Sequence, residues 1–459
     1  MSRRFKATGR TAEVIGRSAL GPRPIPDLMP VKASRVLAAD QRVLDNGLQV
    51  VAIRKAGAPQ VEIRLRIPFG GRTEEHAARA ELLADTTMLG TAERSREQVD
   101  ITLSDVGGHL GASVDPQRLL YAGSVLSNGL PTVLAVLAEV LTGAAYRKTD
   151  VLGERDRLIE HLALAVAQPA TVARMALQRR RFGQHPAAWE LPDAGLVAAV
   201  GPAAVRGLHR TAVVPDGSTL VLVGDLSPRR AIDQADRALS GWTGRRPAVQ
   251  LDSPPAVLGG EIDAVNRFGS VQSQIRLTGP AVTRTSPDYT ALQLANLVYG
   301  GYFSSRLVEN VREDKGYTYG AGSGIEFWPG TAALTVSFDT TTSSTAPALL
   351  EARYELGRLA LTPPTSAEVE SARSYALGTL AISLATQAGL ASTVSAMHGA
   401  GLDLGWLREH PGRLVAVTLD EVAAAAATYL APSAFTGVVV GDLAAIADGL
   451  DRLGGVRLP

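Results

Sequence analysis

The chain reads as an α+β protein built from two homologous sandwich domains, each a mainly antiparallel sheet covered by helices. Three observations predict this. Its 459 residues exceed what one hydrophobic core organises. Val223-Gly224-Asp225-Leu226 recurs 217 residues later as Val440-Gly441-Asp442-Leu443, each behind an apolar run, a spacing suited to a duplicated domain. Finally, strand-like and helix-like segments are mixed without strict alternation, which points to helices on an antiparallel sheet.

The elements follow in order. Residues 1–37 carry Arg3, Arg4, Lys6 and Arg10 with no apolar run behind them, the pattern of a flexible basic arm and not of a secretory signal. Gln49 to Ile53 and Val61 to Ile67 have strand composition, and Leu130 to Leu141 has helical spacing. The helix-like segment Thr149 to Leu164 has a counterpart in Thr365 to Leu380 at almost the same offset as the strand repeat. Between the halves, residues 241–262 hold Pro247, Pro254, Pro255 and paired glycines with little periodicity, as in a linker. The expected division is therefore a first domain over 38–240 and a second over 263–459.

Composition removes several function classes. A net charge of +1 gives no basic footprint for nucleic acid or a membrane surface. No run of about 18 apolar residues marks a membrane span. The absence of cysteine excludes disulfides, thiolate metal sites and cysteine nucleophiles. A soluble, cytoplasmic protein with no nucleic-acid or membrane partner is expected.

Several short motifs stand in one order along most of the chain. Asp45-Asn46-Gly47-Leu48-Gln49-Val50-Val51 opens the first half, followed by Phe69-Gly70-Gly71-Arg72-Thr73-Glu74 and Gly107-Gly108-His109-Leu110-Gly111-Ala112. Phe182-Gly183-Gln184-His185-Pro186 and Gly300-Gly301-Tyr302-Phe303-Ser304-Ser305-Arg306-Leu307 come later. Together they resemble the pitrilysin/insulinase family of zinc metallopeptidases, in its short two-domain branch with mitochondrial processing peptidase. That family binds zinc through His-x-x-Glu-His on one helix, whose histidines share a face and whose glutamate is the general base. In the same frame this chain has Glu81, Ala84 and Asp85. All three functional positions differ, so no metal is expected in this chain. The resemblance places a third ligand near Arg155 to His161, where Glu154 and Glu160 stand close by. Glu81 and Asp85 are four apart on one helix face, open to a calcium or magnesium role or, more plainly, to a solvated charged face.

The second half departs less. The resemblance assigns substrate and transition-state contacts to Arg312 and Tyr319, seven positions apart in Arg312-Glu313-Asp314-Lys315-Gly316-Tyr317-Thr318-Tyr319. A guanidinium fork and a phenol suit a carbonyl that becomes an oxyanion. The bland alternative pairs Arg312 with Glu309 or Asp314 and buries Tyr319 in a strand. Tyr317 is a competing substrate contact, on the same face as Tyr319 if the segment is a strand. Gly111, Ala112 and Ser113 are expected on an exposed strand edge to which a peptide adds, although the alternation there is poor. His185, ahead of a proline, reads as a turn residue.

The combination implies half an active site. The expected function is that of a zinc-less subunit whose His-x-x-Glu-His paralogue supplies the metal in a heterodimer that processes unfolded or leader peptides. A non-enzymatic scaffold on the same fold is the alternative.

Overall fold

The computed structural model of the chain describes residues 37–245 and 251–459, so the basic arm and the middle of the linker lie outside the described residues. Strand β1 (Ala39–Val43) leads into β2 (Gln49–Arg54) and β3 (Gln60–Pro68), whose interior residues alternate or run apolar as buried strands do. Helix α1 (Glu74–Thr86) starts where the Thr73 hydroxyl accepts the His76 amide, with Glu74 and Glu75 against the helix dipole. Then come β4 (His109–Asp115), β5 (Arg118–Leu126), α2 (Leu130–Gly143), α3 (Lys148–Ala167), α4 (Pro169–Phe182) and β6 (Thr219–Gly224).

The second half repeats this course with β7 (Ile262–Asn266), β8 (Gln272–Ala281), α5 (Tyr289–Asn296), β9 (Ala321–Trp328), β10 (Thr331–Thr341), α6 (Thr345–Leu361), α7 (Ser366–Ala385), α8 (Gln387–Gly399), β11 (Thr436–Gly441) and the short β12 (Val456–Arg457). Each half forms a six-stranded sheet, in the orders β1-β2-β6-β3-β5-β4 and β12-β7-β11-β8-β10-β9. From the second strand of each sheet onwards the orders are the same, which is the duplication seen in the sequence. The sheets are mixed: β6 runs parallel to β2, and β11 parallel to β7, while the pairings further along each sheet are antiparallel.

The repeated Val-Gly-Asp-Leu closes the fully buried strands β6 and β11. Glycine at 224 is dictated by crowding, because a Cβ there would stand 2.1 Å from the Gln60 carbonyl oxygen. In β6, Leu220 and Leu222 join the first core with Leu83, Leu134 and Leu137, so Val221 and Val223 point to the opposite face. That face is covered by α8 of the second half. The exchange is reciprocal: Ala173 and Leu177 of α4 pack on Val438 and Val440 of β11. Each long helix, α3 and α7, ends in a break that sends the next helix across to the other sheet; the bend from α7 to α8 is 109°. Residues 38–459 thus form one compact body.

Specific side-chain contacts pin this exchange. Arg181, almost wholly buried, meets Glu326 at 2.5 Å, and the ring of Phe182 stands edge-on to Trp328 at 5.0 Å. From the other side Gln387 Nε2 donates to the carbonyls of Lys55 and Ala58 at 2.7 and 3.1 Å. No single described helix is long and apolar enough to cross a membrane.

Candidate functional site

Helix α1 buries Ala78, Leu82, Leu83 and Ala84 and leaves Glu81 half-buried and Asp85 exposed. Glu81 lines a narrow cleft with Asp115, Glu190, His76 and Trp189. Burial, with the charges of Asp85, Asp115 and Glu190, pushes its carboxyl up to about 7. Burial and the carboxylate of Glu154 also raise Asp85, against the opposing influence of His161. Glu154 and His161 on α3 are the groups whose charge acts on Asp85. They stand seven apart, two helical turns, so they share a face that Glu160 does not. That spacing was the signal in the sequence for His161.

This donor set does not fit the family's zinc. The ligand positions on α1 carry carboxylates, and the position of the base is the methyl group of Ala84, 4% exposed. Among the described residues no three His, Asp or Glu side chains are arranged to hold a metal ion. His76, the histidine nearest in sequence, is occupied with the Phe69 carbonyl at 2.8 Å, and burial lowers its pKa.

Strand β4 packs beside α1 and pairs only with β5, so its other edge is free of strand partners among the described residues. Its burial alternates: Leu110, Ala112 and Val114 turn to the core, while His109, Gly111 and Ser113 are exposed. The poor alternation read from the sequence is corrected here, because glycine, alanine and serine carry too little polarity contrast to reveal a two-residue period.

In the second half α5 continues as a π-helical turn over Leu297–Gly301, and a second π turn spans Glu309–Asp314. Arg312 stands on the latter. Gly316, at φ +63°, ends it in the left-handed conformation, its amide donating to the Arg312 carbonyl and that of Tyr317 to Val311. The chain then folds back so that Arg312 Nε donates to the Tyr319 carbonyl at 3.0 Å. Arg312 also pairs with Glu313 at 2.5 Å and lies over the ring of Phe303 at 4.6 Å.

These contacts answer the sequence alternatives. Arg312 bridges neither Glu309 nor Asp314, and Tyr319 is 97% exposed instead of buried in a strand. Tyr317 and Tyr319 belong to a loop, so they do not share a face: Tyr317 packs against the second core while Tyr319 projects outward. His185 is the turn residue expected, with its ring bound to the Ala187 amide and the Asp252 carbonyl.

Arg312 and Tyr319 line an open cavity of about 580 Å³ with Phe303, Ser323 and the glycines at 300, 301, 320, 322 and 324. Its lining holds one cation and no carboxylate among the described residues. It runs along β9, which pairs only with β10 and is the counterpart of β4 at the edge of its sheet. No described residue of α1 or β4 lines it. Phe303, 63% exposed, was missed from the sequence; an aromatic directly after Gly300-Gly301-Tyr302 and nine residues before the arginine was the available signal.

Two family profiles match the chain: "Insulinase (Peptidase family M16)" over residues 49–194 and "Peptidase M16 inactive domain" over residues 199–375. An uncharacterized zinc protease of Streptomyces coelicolor is 25% identical over 288 residues, 60% of this chain and 62% of that protein's length. Subunit 1 of the bovine mitochondrial cytochrome b-c1 complex is 25% identical over 56% of this chain and 55% of its own. The crystal structure of a peptidase M16 inactive domain from Pseudomonas fluorescens superposes with a TM-score of 0.81, 21% identity and coverage of 88% of this chain and 98% of that one. With consecutive profiles over both halves, the duplicated fold and the ordered motifs in agreement, the chain belongs to the insulinase (M16) peptidase family.

Proposed function

We propose that this chain is the zinc-less subunit of a heterodimeric metallopeptidase. A paralogue carrying His-x-x-Glu-His supplies zinc and the general base. This chain supplies Arg312 and Tyr319, which hold the scissile carbonyl and the oxyanion that forms from it. The observation that carries the reading is that Arg312, held by the Tyr319 carbonyl and by Glu313, and the exposed Tyr319 line one open cavity whose described lining holds no carboxylate, on a chain whose own metal helix lacks histidines at the ligand positions. Glycine backbone around the cavity lets an extended peptide approach closely, and the exposed edge at Gly111 and Ser113 suits strand addition. Ala112 turns inward and supports that edge from beneath. The substrate class is an unfolded peptide, with a leader peptide as the favoured case, processed in the cytoplasm.

The test is cleavage of an unstructured peptide library by this chain alone, by its His-x-x-Glu-His paralogue alone, and by the mixture. Activity confined to the mixture and lost with Arg312→Ala is the expected result. A paralogue fully active alone and indifferent to Arg312 sinks the reading. It would favour the second one, a scaffold subunit, for which the likeness to a respiratory-complex subunit is the supporting observation.

A further inference from the structure

Both π turns of the second half lean on α6. The fully buried Tyr299, in the first, donates its hydroxyl to the Ala352 carbonyl at 3.2 Å. In the second, Asn310 stands two residues before Arg312, and its Nδ2 donates to Glu351 Oε2 at 2.9 Å and to Glu355 Oε1 at 2.8 Å. Glu355 is 1% exposed and also accepts from Arg358 at 3.0 Å; Glu351 faces Lys315 Nζ at 3.9 Å. Two carboxylates converging on one side chain require a donor there, and a carboxamide is a short neutral group that serves both. The Asn310 carbonyl in turn accepts the Lys315 amide at 3.0 Å, the i to i+5 bond that defines the widened turn.

We infer that Asn310 is a positioning residue for Arg312, an inference that rests on the role proposed above for that arginine. By tying the π turn to Glu351 and Glu355 it sets the direction in which Arg312 leaves the backbone. The guanidinium then meets the Tyr319 carbonyl and the Phe303 ring and stays at the cavity wall. An aspartate in place of Asn310 has the same shape but only acceptors, so it would face two carboxylates with a third and push the turn away.

The experiment compares the full-length wild type, Asn310→Asp, Asn310→Asp/Glu355→Gln, Arg312→Ala and Asn310→Asp/Arg312→Ala by hydrogen exchange, thermal unfolding and cleavage in the two-subunit mixture. In Asn310→Asp the amides of Lys315, Gly316 and Tyr317 should exchange about tenfold faster while the first half is unchanged. The double variant should regain most of that protection, because the carboxamide introduced by Glu355→Gln can donate to the new carboxylate on the π turn. In the mixture kcat should fall more than KM rises, and Asn310→Asp combined with Arg312→Ala should be no worse than Arg312→Ala alone. Unchanged exchange at 315–317, or a loss spread over the whole chain that Glu355→Gln does not relieve, overturns the inference. If exchange responds as expected but cleavage ignores both Asn310 and Arg312, the anchoring stands and the proposed function falls.

Discussion

The two halves share a sheet order and differ in what they present to solvent. Beside the first sheet, α1 offers Glu81 and Asp85 with Asp115 and Glu190 close by, a site of mutually repelling carboxylates. Beside the second, the second π turn offers Arg312, the loop after it Tyr319, and glycines line the wall with no carboxylate in the described lining. The buried strands β6 and β11 keep the same ending in both halves, so the fold is held by the interior while the chemistry has diverged at the surface. That contrast is what the proposed division of labour between two subunits would leave.

The largest expected effect tests the second half. Arg312→Ala should lower peptide cleavage by the two-subunit mixture about 10²–10³-fold, and Tyr319→Phe about tenfold, with both proteins folding normally. Circular dichroism and a steady-state assay check this. Equal activity of wild type and Arg312→Ala would remove the contrast between the halves.

A complementary change tests the first half. Glu81→His with Asp85→His places two imidazoles one helical turn apart, opposite Glu154 and His161. We expect zinc uptake approaching one ion per chain by elemental analysis, against none for the wild type. Peptidase activity should still be missing, because Ala84 offers a buried methyl group where a base is required. Zinc bound equally by the unaltered chain would mean that Glu81 and Asp85 already contribute to a metal site.

Much of this was legible in the sequence, and the failures have physical reasons. The duplication, the strands at 49–54 and 60–68 and the long helices α3 and α7 follow from repeat and buried periodicity, and at α7 also from capping, where Thr365 and Glu368 form a capping box. The crossing of α4 and α8 was not legible, since an apolar helix face does not state which sheet it covers. Nor were the π turns, because one added residue per turn leaves no sequence period of its own. The pair Arg312 and Tyr319 could be named only through the family resemblance; their bond depends on Gly316 reversing the chain, and the place of Tyr317 depends on a loop where a strand was expected.

Acid titration separates the halves further. Glu368 accepts Arg306 Nε at 2.6 Å and Nη2 at 3.0 Å, and that bond, aided by Thr365, holds its carboxyl down at about 2. Its folded value lies below the unfolded one, so its contribution is present above about 4.5 and lost as pH falls towards 2. The pair fastens the segment at Arg306, six residues before Arg312, to α7. Glu368→Gln should flatten the acid limb of the stability curve, read by chemical denaturation between about pH 2 and 5, and leave the curve above about pH 6 parallel to wild type.

The smallest effect has the opposite sign and belongs to the first half. The Glu81 carboxyl is raised to about 7 by burial and by its acidic neighbours. Between about pH 4.5 and 7 the folded chain keeps a proton that the unfolded chain has released, so this group makes stability fall as pH rises through that window. Glu81→Gln removes the charge without changing the shape. The variant should match wild type at about pH 4 and melt about 2 °C higher at about pH 8. A variant less stable than wild type at that higher pH would mean that the ionised carboxylate has a favourable partner, and the first half would then hold a working charge where the geometry presents only repulsion.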